Sequence, residues 1–215
     1  MKRRPVLVTV SGMVGTGKST AVKHLVHVIE SEGVNVAYWR FQRLPCITLR
    51  PNRERSGVES SPRSTPTTVE RGGGYRSRPL TAFRTLGYVV RMLAFRVFHR
   101  WPRSARWAVS NRYFYDSVAH YDIDGPVGRL YATLLRRLMV KPDLAFLMVA
   151  SRETLLDRRP QYSIDYIANV DRGYRGLRVT FPELIEINSE QNAGALDRME
   201  AVVRELLAPN GHRKS

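Results

Sequence analysis

One stretch, Gly12-Met13-Val14-Gly15-Thr16-Gly17-Lys18-Ser19, restricts what this chain can become more than any other feature. It fits the spacing glycine, four residues, Gly-Lys and then Ser or Thr at every fixed position. The flanks fit as well. Val6 to Val10 is a continuous β-rich run, the pattern of a strand buried on both faces. Lys18 to Glu32 reads as a helix with Ala21, Leu25, Val28 and Ile29 on one face. Strand, glycine turn and helix form the context in which such a loop grips phosphate. Glycines let backbone N–H groups turn inward into a concave anion nest, and the helix start adds partial positive charge. Lys18 is spaced to reach the β- and γ-phosphates, and the Ser19 hydroxyl to ligate magnesium. Thr20 extends the helix start towards the α-phosphate. The whole run from Gly12 to Thr20 is therefore expected to bind ATP.

Gly33 closes this helix, and Val34 to Phe41 reads as a second strand. Strand, helix, strand over this length is a βαβ unit, which requires a parallel sheet with a right-handed crossover. Further strands are expected over 106–110, 144–150 and 183–187. Helices are expected over 80–101, 126–139 and 193–207. A shorter helix is capped by Ser151, ends at Arg158-Arg159 and is stopped by Pro160. The alternation predicts an α/β chain with the P-loop NTPase fold: one domain over 1–215, a three-layer sandwich around a five-stranded parallel sheet. Two segments break the pattern. Residues 44–79 hold Pro45, Pro51, Pro62, Pro66 and Pro79 and the triplet Gly72-Gly73-Gly74, and read as a long flexible insertion. Residues 161–181 read as polar and loop-like with helical pieces. Together with the arginines before them, they form a candidate lid over about 158–181.

Composition narrows the class. Hydrophobic residues make up 43% and charged residues 25%, as in ordinary globular proteins. No run of eighteen apolar residues occurs, so no membrane span is expected. The apolar stretch from Val6 is too short for the core of a signal peptide. Cys46 is the only cysteine, which rules out an internal disulfide or a cysteine-based metal cage and suits a reducing cytoplasm. The histidines His24, His27, His99, His120 and His212 show no metal-site spacing with carboxylates. The net charge is +16, almost all of it arginine and spread along the chain rather than blocked. That distribution disfavours a nucleic-acid partner but leaves one open.

A second constellation, Asn111-Arg112-Tyr113-Phe114-Tyr115-Asp116-Ser117, follows the third strand. The carboxyl end of a strand beside the phosphate strand is where a doubly wound sheet builds its site. Arg112 there can grip an acceptor phosphate through two parallel N–H bonds, or sit at the surface of a helix start. Asp116 can hold magnesium through water or take an acceptor's proton, or simply cap a helix. The three aromatics can stack on a base, although such residues after a strand are more often core.

With these residues in place, the chain resembles the thymidylate kinase family of nucleoside monophosphate kinases. Asn111-Arg112-Tyr113 with Asp116-Ser117 is similar to that family's Asp-Arg-Tyr motif and the serine-containing stretch behind it. Arg40-Phe41 resembles its Arg-Phe-Pro segment, which contacts the acceptor nucleotide. Lys141-Pro142-Asp143-Leu144 resembles its lead-in to the fourth strand. Arg158-Arg159 sits where the family has lid arginines that close on ATP, and Asn188 to Asn192 matches a loop beside the adenine. The resemblance covers most of the chain and fails across 44–79. It implies an ATP-dependent phosphotransferase with Mg2+ as cofactor and a nucleotide or similar small molecule as acceptor. It further implies catalytic roles for Lys18, Arg112, Asp116 and Arg158, and magnesium contacts from Ser19 and Asp116. Acceptor contacts would come from Arg40, Phe41, Asn111 and Arg112. A homodimer is left open.

The chain also departs from the family. Val14 stands where the family carries an acid that addresses the acceptor's sugar. Asn111 replaces the motif's aspartate, and Gln42 replaces a proline. An amide orients a neighbour but neither takes a proton nor brings charge to a metal. Thymidine monophosphate is therefore not assigned as substrate. A nucleotide-binding protein without kinase chemistry, and a kinase for a non-nucleotide acceptor, stand as alternatives.

Overall fold

The computed structural model describes residues 4–40, 90, 92–96, 105–119 and 126–208. The insertion expected over 44–79, Phe41 and most of the helix expected over 80–101 lie outside the described residues.

The strands are β1 (Val6–Gly12), β2 (Val36–Arg40), β3 (Trp107–Asn111), β4 (Leu144–Val149) and β5 (Leu184–Asn188). They pair in parallel in the order β2-β3-β1-β4-β5. The helices are α1 (Lys18–Ser31), α2 (Phe114–Val118), α3 (Pro126–Leu138), α4 (Arg152–Arg158), α5 (Ile164–Thr180) and α6 (Asn192–Leu207), and residues 92–96 are also helical.

The continuous apolar run of β1 is explained by cover on both faces. Val8 and Val10 pack with Ala21, Leu25 and Ile29 of α1 and Met199 and Val203 of α6. Leu7 points the other way, into a core with Phe114, Leu135, Ile167 and Leu177 from α2, α3 and α5. Two helical layers thus enclose the sheet, as the alternation of elements predicts. Asp143 fixes the register at the opposite end. Its carboxylate takes both Arg4 guanidinium N–H groups at 2.8 and 3.1 Å and the Leu7 N–H at 2.8 Å.

Two expectations need correction. The second strand begins at Val36 rather than Val34, because Val34 still donates its N–H to Ile29 and completes the turn that closes α1. Residues 161–181 are not loop-like: α5 runs unbroken over Ile164–Thr180, with Ser163 accepting from the Tyr166 N–H at its start. Its buried residues Ile167, Val170, Tyr174 and Leu177 recur at spacings of three and four, and the polar residues between them face outward. Gly173 weakens the helical signal yet is required by packing. A Cβ there would lie 1.9 Å from the carbonyl oxygen of Ala119, just beyond α2. Among the described residues, no helix is long and apolar enough to cross a membrane.

Candidate active site

The central strand β1 delivers the glycine loop to the carboxyl edge of the sheet, flanked there by β3 and β4. Gly12 is set by that position. Its φ is 140°, and a Cβ would sit 2.3 Å from the Met148 carbonyl oxygen on β4. The loop then closes on itself: the Thr16 hydroxyl donates to the Met13 carbonyl at 2.8 Å, and the Thr16 N–H approaches the same oxygen at 3.3 Å.

Helix α1 starts at Gly17, in the left-handed region with φ 80° and ψ 12°, and no side chain caps it. The N–H groups of Thr20 and Ala21 bond back to the Gly17 carbonyl at 3.0 Å. Those of Lys18 and Ser19 come before this ladder, so the helix presents its positive end to the loop. Lys18 is only 7% exposed and donates from Nζ to the Met13 carbonyl. Its pKa is lowered from 10.5 to about 8, chiefly by burial; Asp116 opposes the shift, and Arg112 and Arg159 add to it. A buried ammonium held among guanidinium groups, with a bare helix start beside it, is an environment that an incoming anion relieves. These residues suit a polyphosphate. For magnesium, the loop offers the exposed hydroxyl of Ser19.

The residues after β3 gather around the loop. Asn111 is buried, and its Nδ2 lies 3.3 Å from Ser19 Oγ and 3.5 Å from the Tyr38 hydroxyl. Arg112 has φ 71°, the one positive value at a non-glycine among the described residues. That conformation is uncommon for such a side chain and is held from both ends. The Arg112 N–H donates to Val10 at 2.9 Å, and its carbonyl accepts from the Ser110 hydroxyl at 2.8 Å.

Asp116 sits at the centre of a buried network. Its Oδ2 accepts the Tyr113 N–H at 3.0 Å. Its Oδ1 accepts the Gly12 N–H at 3.4 Å and the Tyr174 hydroxyl at 2.8 Å. The Tyr174 oxygen is also 2.9 Å from the Gly12 carbonyl, and burial, reinforced by Asp116, raises its pKa well above the usual value. It is therefore a neutral donor. Arg112 Nη1 stands 3.9 Å from the same carboxylate. Tyr113, Phe114 and Tyr115 are core residues, as their place after a strand suggests.

On the far side, Arg158 bridges two segments, donating to the Gly15 carbonyl at 3.2 Å and to the Ser189 carbonyl at 3.3 Å. Ser189 is itself fixed by β4: its N–H and hydroxyl both reach the Val149 carbonyl, at 2.8 and 2.9 Å. Between the loop and α5 opens a cleft lined by Met13, Val14, Arg112, Leu155, Arg159 and residues of the 162–174 segment. Tyr162 and Tyr166 in its wall are stacked, with ring centres 5.1 Å apart and planes 16° from parallel.

The chain as a whole is similar to the crystal structure of thymidylate kinase from Ehrlichia chaffeensis. The match covers 95% of this chain and 100% of that one, with a TM-score of 0.54 and 16% identity. The fold is that of thymidylate kinase. No protein-family profile matches the sequence, and no curated protein sequence matches it. At 16% identity, that likeness is one of chain path and not of sequence.

Gly12 to Ser19, Asn111, Arg112, Asp116 and Arg158 thus converge, although they come from three separate stretches of sequence. Arg40 ends β2 beside Asn111, and Phe41 lies outside the described residues. Sequence reasoning did not single out Tyr174 or the stacked tyrosines, and it reached Ser189 only as part of the 188–192 loop. The only available signal for Tyr174 is its place in the helical period of α5. Ser189 shows its role only once β4 and β5 are paired.

Proposed function

We propose that this chain is a phosphotransferase that uses ATP and magnesium to phosphorylate a small acceptor. The observation that carries this reading is the uncapped start of α1 beside a buried Lys18, whose pKa is depressed to about 8. Phosphoryl transfer requires little covalent chemistry from a protein. It depends on positioning and on charge stabilisation. The loop amides and the α1 start bind the phosphate chain. Lys18 offsets negative charge, and the Ser19 hydroxyl is the residue that would hold magnesium, which supplies further charge neutralisation when bound. Arg112, held in its strained turn, orients the acceptor. Arg158 positions the loop through the Gly15 carbonyl. Asp116 fastens Gly12 to α2 and α5, so we assign it a positioning role rather than a bond to metal. Residues 158–181 serve as the face that closes over the bound molecules, in a protein of the cytoplasm.

A screen of phosphate, carboxylate and hydroxyl acceptors with ATP labelled at the γ-phosphate tests this reading. Labelled acceptor and ADP should form, and chelation of magnesium should abolish both. ATP binding without transfer to any acceptor would instead support the second reading, a nucleotide-binding protein without kinase chemistry. That reading is favoured by the uncharged Asn111 beside Ser19.

A further inference from the structure

We propose that Asn111, steadied by Tyr38, is a positioning residue that makes the Ser19 hydroxyl a direct donor to the bound phosphate chain, so that the protein grips a nucleoside triphosphate without a divalent cation. This rests on reading the glycine loop and the start of α1 as the phosphate grip, and it concerns binding rather than transfer.

The arrangement follows from strand register. Asn111 ends β3 opposite Val10 of β1 on one side and Arg40 of β2 on the other. Side chains two residues apart on a strand share a face, so Tyr38 lies on the face of Arg40, one step back from the edge. The Asn111 side chain is buried, Tyr38 is 45% exposed, and Ser19 stands exposed in the first turn of α1. The amide gives one N–H to Ser19 Oγ at 3.3 Å and the other to the Tyr38 oxygen at 3.5 Å. Two partners on one nitrogen fix the plane of the amide.

The direction of these bonds decides what Ser19 can do. A hydroxyl has one proton and two lone pairs. Here the Asn111 N–H fills one lone pair. The proton is left for a ligand, and an anionic phosphate oxygen is a strong acceptor for it. The remaining lone pair serves the magnesium that transfer uses. A carboxylate at position 111 would reverse this. It can only accept, so it would draw the Ser19 proton to itself and leave the oxygen to meet phosphate through a cation. It would also add negative charge beside the phosphates.

Charge balance points the same way. Lys18 is buried, and Arg112 and Arg159 both act to disfavour its charge. These three cationic side chains converge on the loop, and a bare anion relieves their repulsion. Asp116 opposes them, but its oxygens are engaged by the Gly12 N–H, the Tyr113 N–H and the Tyr174 hydroxyl. The protein's own side chains thus supply neutralisation that a metal otherwise brings to a triphosphate.

Calorimetry on the full chain with a non-hydrolysable ATP analogue, in excess magnesium chloride and again in EDTA, tests this. The wild-type Kd in EDTA should lie within about tenfold of the magnesium value. Asn111→Asp should widen that gap by about 10–100-fold, chiefly by weakening the metal-free complex. Tyr38→Phe, at a half-exposed position, should leave the magnesium value within about twofold and weaken the metal-free one by about 2–5-fold. It carries the test should the buried aspartate prevent folding. A merely structural role for these residues would weaken both values alike. Wild-type binding lost in EDTA, or a gap that neither variant widens, would overturn the proposal and leave the kinase reading intact. Metal-free binding as expected, with no labelled acceptor formed in magnesium, would do the opposite. No affinity under either condition would overturn both.

Discussion

Several helices begin around the candidate site, and three of them begin in two ways. Helices α4 and α5 are each closed by a serine of their own: Ser151 accepts from the Thr154 N–H, and Ser163 from the Tyr166 N–H. Helix α1 begins at Gly17 with no side-chain cap. The first two are finished by folding alone. The third leaves its amide donors to be satisfied from outside the chain, next to a lysine whose burial makes its charge unfavourable until a counter-charge arrives. Helices α2 and α6 also start without a side-chain hydrogen bond at the cap, so what distinguishes α1 is the buried Lys18 beside its first turn.

Variants at the two kinds of helix start should therefore be read out differently. The largest effect is expected at Lys18. Lys18→Ala should lower phosphoryl transfer by about 10²–10³-fold while leaving the urea unfolding midpoint unchanged or higher. A loss of stability with unchanged transfer would place Lys18 among the structural residues and break the comparison. Next comes Tyr174→Phe, which removes the hydroxyl that serves Asp116 and Gly12. It should cost about 1.5–3 kcal/mol in urea unfolding, with a secondary fall in kcat as the loop loses its anchor. An undiminished unfolding free energy would show that the network does not fasten Gly12.

The third effect is one of pH. The charged form of Lys18 favours anion binding, and its pKa in the free protein is about 8. Affinity for a non-hydrolysable ATP analogue should be full below that pH. Above it, affinity should fall by about tenfold per unit until the pKa of the bound state is reached. The stability of the free protein moves the other way. Between about 8 and 10.5 the unfolded chain binds more protons at this lysine, so its contribution to stability rises with pH across that window. Calorimetry across pH 7–10 would check the first trend; a flat profile would contradict a depressed lysine pKa. The smallest effect is expected at Ser163. Ser163→Ala should cost about 1 kcal/mol in unfolding and leave affinity for the ATP analogue within about twofold. A matching loss of affinity would show that α5 is not closed independently of the ligand.

What the sequence made legible was local. The loop, β1 and α1 lie within 6–31, and their motif, period and turn residues all point the same way. The sheet followed from the alternation of short apolar runs with helical ones. Helix α5 was misread because Gly173 and a run of charged residues lower the helical signal, even though Ile167, Val170, Tyr174 and Leu177 keep the period. The role of Asp116 was hidden for a different reason. Beside Arg112 it reads equally well as a metal ligand, a base or a cap. The groups that actually engage it, the Gly12 N–H and the Tyr174 hydroxyl, are 104 and 58 residues away in sequence. Such a pairing exists only after the sheet and α5 have come together.

Arg158 joins the glycine loop to the segment after the last strand through two backbone carbonyls. Its long side chain is thus already immobilised when the protein finishes folding. The conformational entropy that an arginine would ordinarily lose on seizing a ligand belongs here to folding instead. A substitution at this position should consequently loosen the loop whether or not a ligand is bound.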